Sequence, residues 1–117
     1  MNVSELCEKI AFHRFNYRDE QQLQDGIELM LKDANIPFER EKVLGPNSRP
    51  DFFVDGIAVE VKIKHSLADL TRQVYRYASY DAVRSIVVVT PRMRLSNLPD
   101  VLFDKPIRVV TLLGAFG

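Results

Sequence analysis

The sequence predicts an α/β fold, a mixed central β-sheet flanked by helices, and three observations carry that prediction. Two stretches in the first third space their apolar residues at helical intervals. An Asp55-Gly56 dipeptide separates two strand-like runs, a strong signal for a two-residue hairpin turn. Ile86 to Val89 is apolar without a break, as strands buried on both faces are.

Taken in order, residues 4–14 read as a short helix with Leu6 and Ile10 inward, and residues 17–34 as a longer one. Asn16 could cap the second helix, with Asp19 and Glu20 in its first turn and Leu23, Ile27, Met30, Leu31 and Ala34 as its apolar stripe. Residues 38–44 read as a strand, and Gly45 to Ser48 as a loop. Residues 51–54 and 57–63 form the hairpin. Ser66 caps a helix over 67–80, residues 84–90 form the apolar strand, 91–106 are irregular with a short helical turn, and 107–113 form a last strand. Helix, helix, three strands, helix, strand, strand is the order of a layered α/β domain.

Composition narrows the function. A length of 117 residues suits a single domain, and 46% hydrophobic residues are enough for a core. No apolar run reaches membrane-spanning length, and the N-terminal segment lacks the order of a signal peptide, so the expected location is intracellular, in the cytoplasm. The lone Cys7 excludes an internal disulfide and, by itself, a zinc or iron–sulfur site. Net charge is zero, which argues mildly against a nucleic-acid partner. Its distribution is uneven, however. Residues 1–59 hold 7 Lys/Arg and 11 Asp/Glu, whereas residues 60–117 hold 9 and 5.

The hairpin is the informative element. A two-residue turn at Asp55-Gly56 pairs Val54 with Ile57, and counting back from it sets Asp51 opposite Glu60. Opposed like charges are destabilising. A divalent cation such as Mg²⁺, which takes oxygen ligands, is the natural group between them. Alternation puts Lys62 on the same face as Glu60, where an ammonium could steady a phosphate, and sets Arg49 roughly opposite Lys62. Acidic and basic residues alternating with apolar ones are also the ordinary pattern of a solvent-facing strand. The opposed Asp51 is what distinguishes this hairpin.

These residues carry a resemblance. The segment from Arg49 to Lys64, with Pro50-Asp51 and Glu60-Val61-Lys62 separated by a short hairpin, resembles the core motif of PD-(D/E)xK nucleases. That superfamily includes restriction endonucleases, Holliday-junction resolvases, RecB-like nucleases and virus-type replication-repair nucleases. Gln73 to Tyr77 is similar to the QxxxY element of RecB-like members, and the apolar strand follows as that fold requires.

The resemblance spans about residues 17–91. It implies a restriction-endonuclease-like core in a single domain over 1–117, with residues 1–15 as an N-terminal helical extension. It implies a deoxyribonuclease that uses Mg²⁺ or Mn²⁺. Asp51, Glu60 and the Val61 carbonyl would be metal ligands, Glu20 a helix-borne further ligand, Lys62 the catalytic lysine, and Gln73 a residue positioning that lysine or a phosphate.

Arg49, Lys64, Arg72 and Tyr77 would meet the nucleic acid, with Arg92 and Arg94 a further cationic pair. The expected partner is DNA, duplex or branched, together with a second copy or a larger nuclease complex; a homodimer would set two cuts by two-fold symmetry. The competing reading is a non-catalytic binding or interaction module on the same fold.

Overall fold

Local rules account for the ends of the helices. α1 (Val3–Phe12) opens on a capping box, in which Asn2 Oδ1 accepts from the Glu5 N–H and the Glu5 carboxylate accepts from the Asn2 N–H. α2 (Glu20–Asp33) starts three residues later than the sequence predicts. Asp19, not Asn16, is its cap: Asp19 Oδ1 accepts from the Gln22 N–H at 2.8 Å, and Gln22 Oε1 accepts from the Arg18 N–H at 2.8 Å. The computed structural model describes residues 1–112.

β1 is only Glu39–Arg40, not the longer strand expected over 38–44, because Glu41 turns to φ 53° and ends the extended run. β2 (Phe52–Val54) and β3 (Ile57–Val61) pair as the turn demands: Val54 with Ile57, Phe53 with Ala58, Phe52 with Val59. Asp55 and Gly56 both take positive φ, 47° and 80°, as a type I′ turn requires. α3 (Leu67–Ala78) is capped by Ser66, whose hydroxyl accepts from the Asp69 N–H at 3.0 Å. It carries the chain across to β4 (Ser85–Thr90), which runs parallel to β3.

The stretch expected to be irregular holds a 3₁₀ turn, Met93–Ser96, and also a strand the sequence did not reveal, β5 (Val101–Leu102). β5 forms a hairpin with β6 (Lys105–Thr111) through Phe103 and Asp104, both at positive φ. Phe103 is a poor advertisement for such a turn, since bulky residues rarely adopt φ above zero. Leu113, the expected end of the last strand, lies outside the described residues.

The six strands form one mixed sheet in the order β1-β2-β3-β4-β6-β5. β4 is parallel to both its neighbours, and the outer pairs are antiparallel. α1 and α2 cover one face, packing Leu6, Ile10, Leu23 and Ile27 on Val59, Val61, Val87 and Val110. α3 covers the other, packing Leu70, Val74 and Tyr77 with Ala58, Ile86, Val88 and Ile107. Among the described residues, no helix is long and apolar enough to cross a membrane.

This layering decides the fate of β3. Its Ala58–Glu60 face could have met solvent. Instead α3 closes over it, and every residue of β3 is buried, Glu60 with 2% of its surface exposed. Burying an ionisable group costs several kcal/mol after relaxation. Each buried Leu, Val or Ile around it returns about 1.5–3 kcal/mol. The apolar packing of the two layers therefore holds an unfavourable charge in place.

Candidate active site

The site lies at the C-terminal end of β3, where the hairpin ladder gives way to side-chain bonding. Asp51 just precedes β2. Its backbone N–H donates to Glu60 Oε1 at 3.1 Å, while its Oδ2 accepts from the Val61 N–H at 2.8 Å. Each acid thus engages the other strand's backbone, and the two carboxylates stand opposite each other as the turn register requires. Lys62 follows β3 directly, and its Nζ is 3.2 Å from Glu60 Oε2, with 12% of the side chain exposed.

α3 supplies the roof. The Tyr77 hydroxyl donates to Glu60 Oε1 at 3.1 Å, and Gln73 Nε2 donates to the Tyr77 oxygen at 3.0 Å. The i, i+4 spacing of Gln73 and Tyr77 makes this chain possible. Tyr77 is fully buried, so its polar atom serves Glu60 and does not face the surface. Gln73 likewise acts on the carboxylate through Tyr77, and its Oε1 is buried without a partner among the described residues.

α2 supplies a third acid. Glu20 Oε1 accepts from the Ile63 N–H at 3.2 Å, and its charge acts on Asp51. Glu28, Glu39 and Glu41 are engaged elsewhere. Glu28 binds Arg40 and Lys32, Glu39 lies 3.1 Å from Lys42, and Glu41 lies 3.8 Å from Arg49.

The electrostatics follow from this crowding. Burial pushes the Glu60 carboxyl up to about 7, and the Asp51 charge adds to the rise, while the Lys62 ammonium opposes it. Burial likewise raises Asp51, against the Val61 N–H and the charge of Lys62. Burial and the neighbouring Glu60 raise the Tyr77 phenol far above its ordinary range, so it remains a donor at any ordinary pH. A cleft adjoins the Gln73–Tyr77 pair, and the Tyr77 hydroxyl links it to the perturbed Glu60. The cleft here encloses about 450 Å³ between the 43–49 loop and α3, and Asn47, Ser48, Arg49, Gln73 and Tyr77 line it.

The expected nucleic-acid contacts divide. Arg49 is exposed at the cleft, 3.8 Å from Glu41, and Lys64 is exposed in the bend after β3. Arg72 is exposed but ion-paired with Asp69 on its own helix. Among the described residues, no cluster of three or more His, Cys, Asp or Glu side chains is arranged to hold a metal ion. The donor chemistry on hand is oxygen only: the Asp51 and Glu60 carboxylates, each bonded to the other strand's backbone, the carbonyl of Val61, next after Glu60, and Glu20 nearby. Two carboxylates completed by water and phosphate are a ligand set Mg²⁺ accepts.

Sequence reasoning did not foresee the direct bond from Tyr77 to Glu60 or the clamping of the 63–65 loop by Arg92 and Arg94. Arg92 Nε donates to the Ile63 carbonyl at 3.1 Å, and Arg94 donates to the His65 carbonyl at 2.6 Å. The 29-residue separation of each pair leaves no local pattern that could have shown it. No family model matches the chain, and comparison with curated proteins and with solved structures gave no match either.

Proposed function

We propose that this chain is a Mg²⁺- or Mn²⁺-dependent nuclease that hydrolyses DNA phosphodiester bonds. The observation that carries the reading is the joining of Asp51, Glu60 and Lys62 at the end of β3, with Glu20 reaching in from α2. Two acids on facing strands, with the Lys62 ammonium beside Glu60 and the more distant Arg40 charge acting on Asp51, favour a further cation. On this reading Asp51, Glu60 and the Val61 carbonyl hold it, with Glu20 at the margin. When bound, the ion would neutralise the scissile phosphate and favour activation of water.

The chain's own groups have defined tasks. Lys62 offers its ammonium to a non-bridging phosphate oxygen, where negative charge builds in the transition state. Tyr77, itself held by Gln73, fixes the rotamer of Glu60. Glu20 fixes the backbone that follows Lys62. The restriction-endonuclease-like core belongs to the same proposal, resting on the order of elements and the PD and ExK positions.

The test is cleavage of supercoiled plasmid and of branched DNA by the purified protein with Mg²⁺ or Mn²⁺, beside Asp51→Ala and Lys62→Ala. Cutting that needs the metal and vanishes in both variants supports the nuclease. A second reading, a non-catalytic module, draws on two facts: three acids are not gathered as a metal cluster, and Lys62 already answers part of the Glu60 charge. Absence of cutting together with absence of metal binding would favour it.

A further inference from the structure

The loop after β3 is held from three sides. Glu20 Oε1 accepts from the Ile63 N–H at 3.2 Å, Arg92 donates to the Ile63 carbonyl, and Arg94 donates to the His65 carbonyl. Lys64 sits exposed between these anchored residues. Both arginines come from the segment after β4, so the loops leaving two adjacent parallel strands meet here. In α/β sheets the carboxyl ends of such strands are where ligands are received.

The cations at this edge contrast with those that carboxylates answer elsewhere in the molecule. Lys32, Arg40, Lys42, Arg72 and Arg84 all pair with carboxylates. Lys64, Arg92 and Arg94 form no salt bridge among the described residues. Glu20 is engaged with the Ile63 N–H and Asp69 with Arg72. Each arginine spends one N–H on a backbone carbonyl, which aims its planar fork and leaves several donors to solvent. Arg92 also lies near enough to Tyr17 for its charge to act on that phenol, which adds an aromatic body to the edge.

We infer that Lys64, on the clamped 63–65 loop, and Arg92 and Arg94, which clamp it, form a ledge that binds the phosphate backbone of duplex DNA. The choice of DNA rests on the nuclease reading; the anionic backbone follows from three unpaired cations gathered at the loop after Lys62, two of them aimed by backbone carbonyls. Contacts of this kind set position and carry no base specificity.

The test is fluorescence anisotropy of a labelled duplex DNA in EDTA across a salt series, with plasmid cleavage measured separately. The salt slope should fall by about 0.9 for Lys64→Ala and by roughly twice that for the Arg92→Ala/Arg94→Ala double variant, one increment per lost phosphate contact. Affinity of the double variant at low salt should fall at least about tenfold. Lys64 supports no internal bond, so its variant reads charge alone.

No binding by the wild type at low salt, or unchanged slopes, would overturn the ledge. So would a loss confined to the double variant, since that would mean the arginines only shape the loop. Binding with the expected slopes but no cleavage would leave the ledge standing and remove the nuclease. Cleavage with unchanged slopes would do the reverse.

Discussion

Two clusters of acids in this protein use the same kinds of side chain and reach opposite electrostatic ends. Glu28 on α2 is answered by Arg40 at 2.7 Å and Lys32 at 3.1 Å, and those hydrogen bonds hold its carboxyl below the usual range. Arg40 is further seated by Gln24 at 2.8 Å and by the Phe52 ring, 4.9 Å from its centroid. Glu60 has one ammonium and two hydrogen-bond donors, yet burial and the charge of Asp51 push it up to about 7. The first cluster ties a helix to the sheet and answers the Glu28 charge with two cations. The second is held together by the packing around it, against its own electrostatics, which is the condition a bound cation would relieve.

The sharpest way to break this contrast is catalytic. On the nuclease proposal, Asp51→Ala and Lys62→Ala lower the rate of plasmid cleavage on the order of 10³-fold. Glu28→Gln leaves that rate within about threefold of wild type. Equal losses in all three variants would show that the two clusters do not differ in function.

The next effect is on stability against pH. Glu60 has a folded pKa of about 7 against an ordinary value of 4.5, so folding takes up a proton between those limits. Its contribution is fully present below 4.5, declines as pH rises to about 7, and is level above that. Asp51 is shifted in the same direction. Urea unfolding should therefore show Glu60→Gln more stable than wild type at pH 8, on the order of 2 kcal/mol, with a flatter pH profile through this window. A variant less stable than wild type at pH 8 would mean that the Lys62 pairing outweighs burial.

Smaller again is Tyr77→Phe. It removes the hydroxyl from Glu60 and strands Gln73 Nε2, and should cost about 1–2 kcal/mol by the same measurement. The smallest is Glu28→Gln, about 0.5–1 kcal/mol, shrinking as salt is added, because that pair is partly exposed and screened.

What the sequence disclosed about this site came from strict local geometry. Asp55-Gly56 admits one register, so the Asp51–Glu60 opposition could be counted from the turn. The helical period of α2 put Glu20 on the sheet side, and the i, i+4 step joined Gln73 to Tyr77. Elements that depend on tertiary choice were hidden. Asp19 and Asn16 are both competent caps, and the side chain of Gln22 decided between them. Glu41 at φ 53° cut β1 short without any Gly or Pro to mark the place. β5 hangs on a Phe-Asp turn that no composition rule singles out. The burial of Glu60 was the least legible feature: alternation along β3 fits a solvent-facing strand equally well, and only α3 closing over that face settles it.

On the nuclease proposal, Asp51 and Glu60 form an incompletely neutralised pair that takes a divalent cation. Calorimetric titration of the wild type, Asp51→Asn and Glu28→Gln with Mn²⁺ tests it most directly. The account predicts a saturable site of about one ion per chain in wild type and Glu28→Gln, lost or greatly weakened in Asp51→Asn. No saturable heat in the wild type, or equal binding by all three proteins, would contradict it.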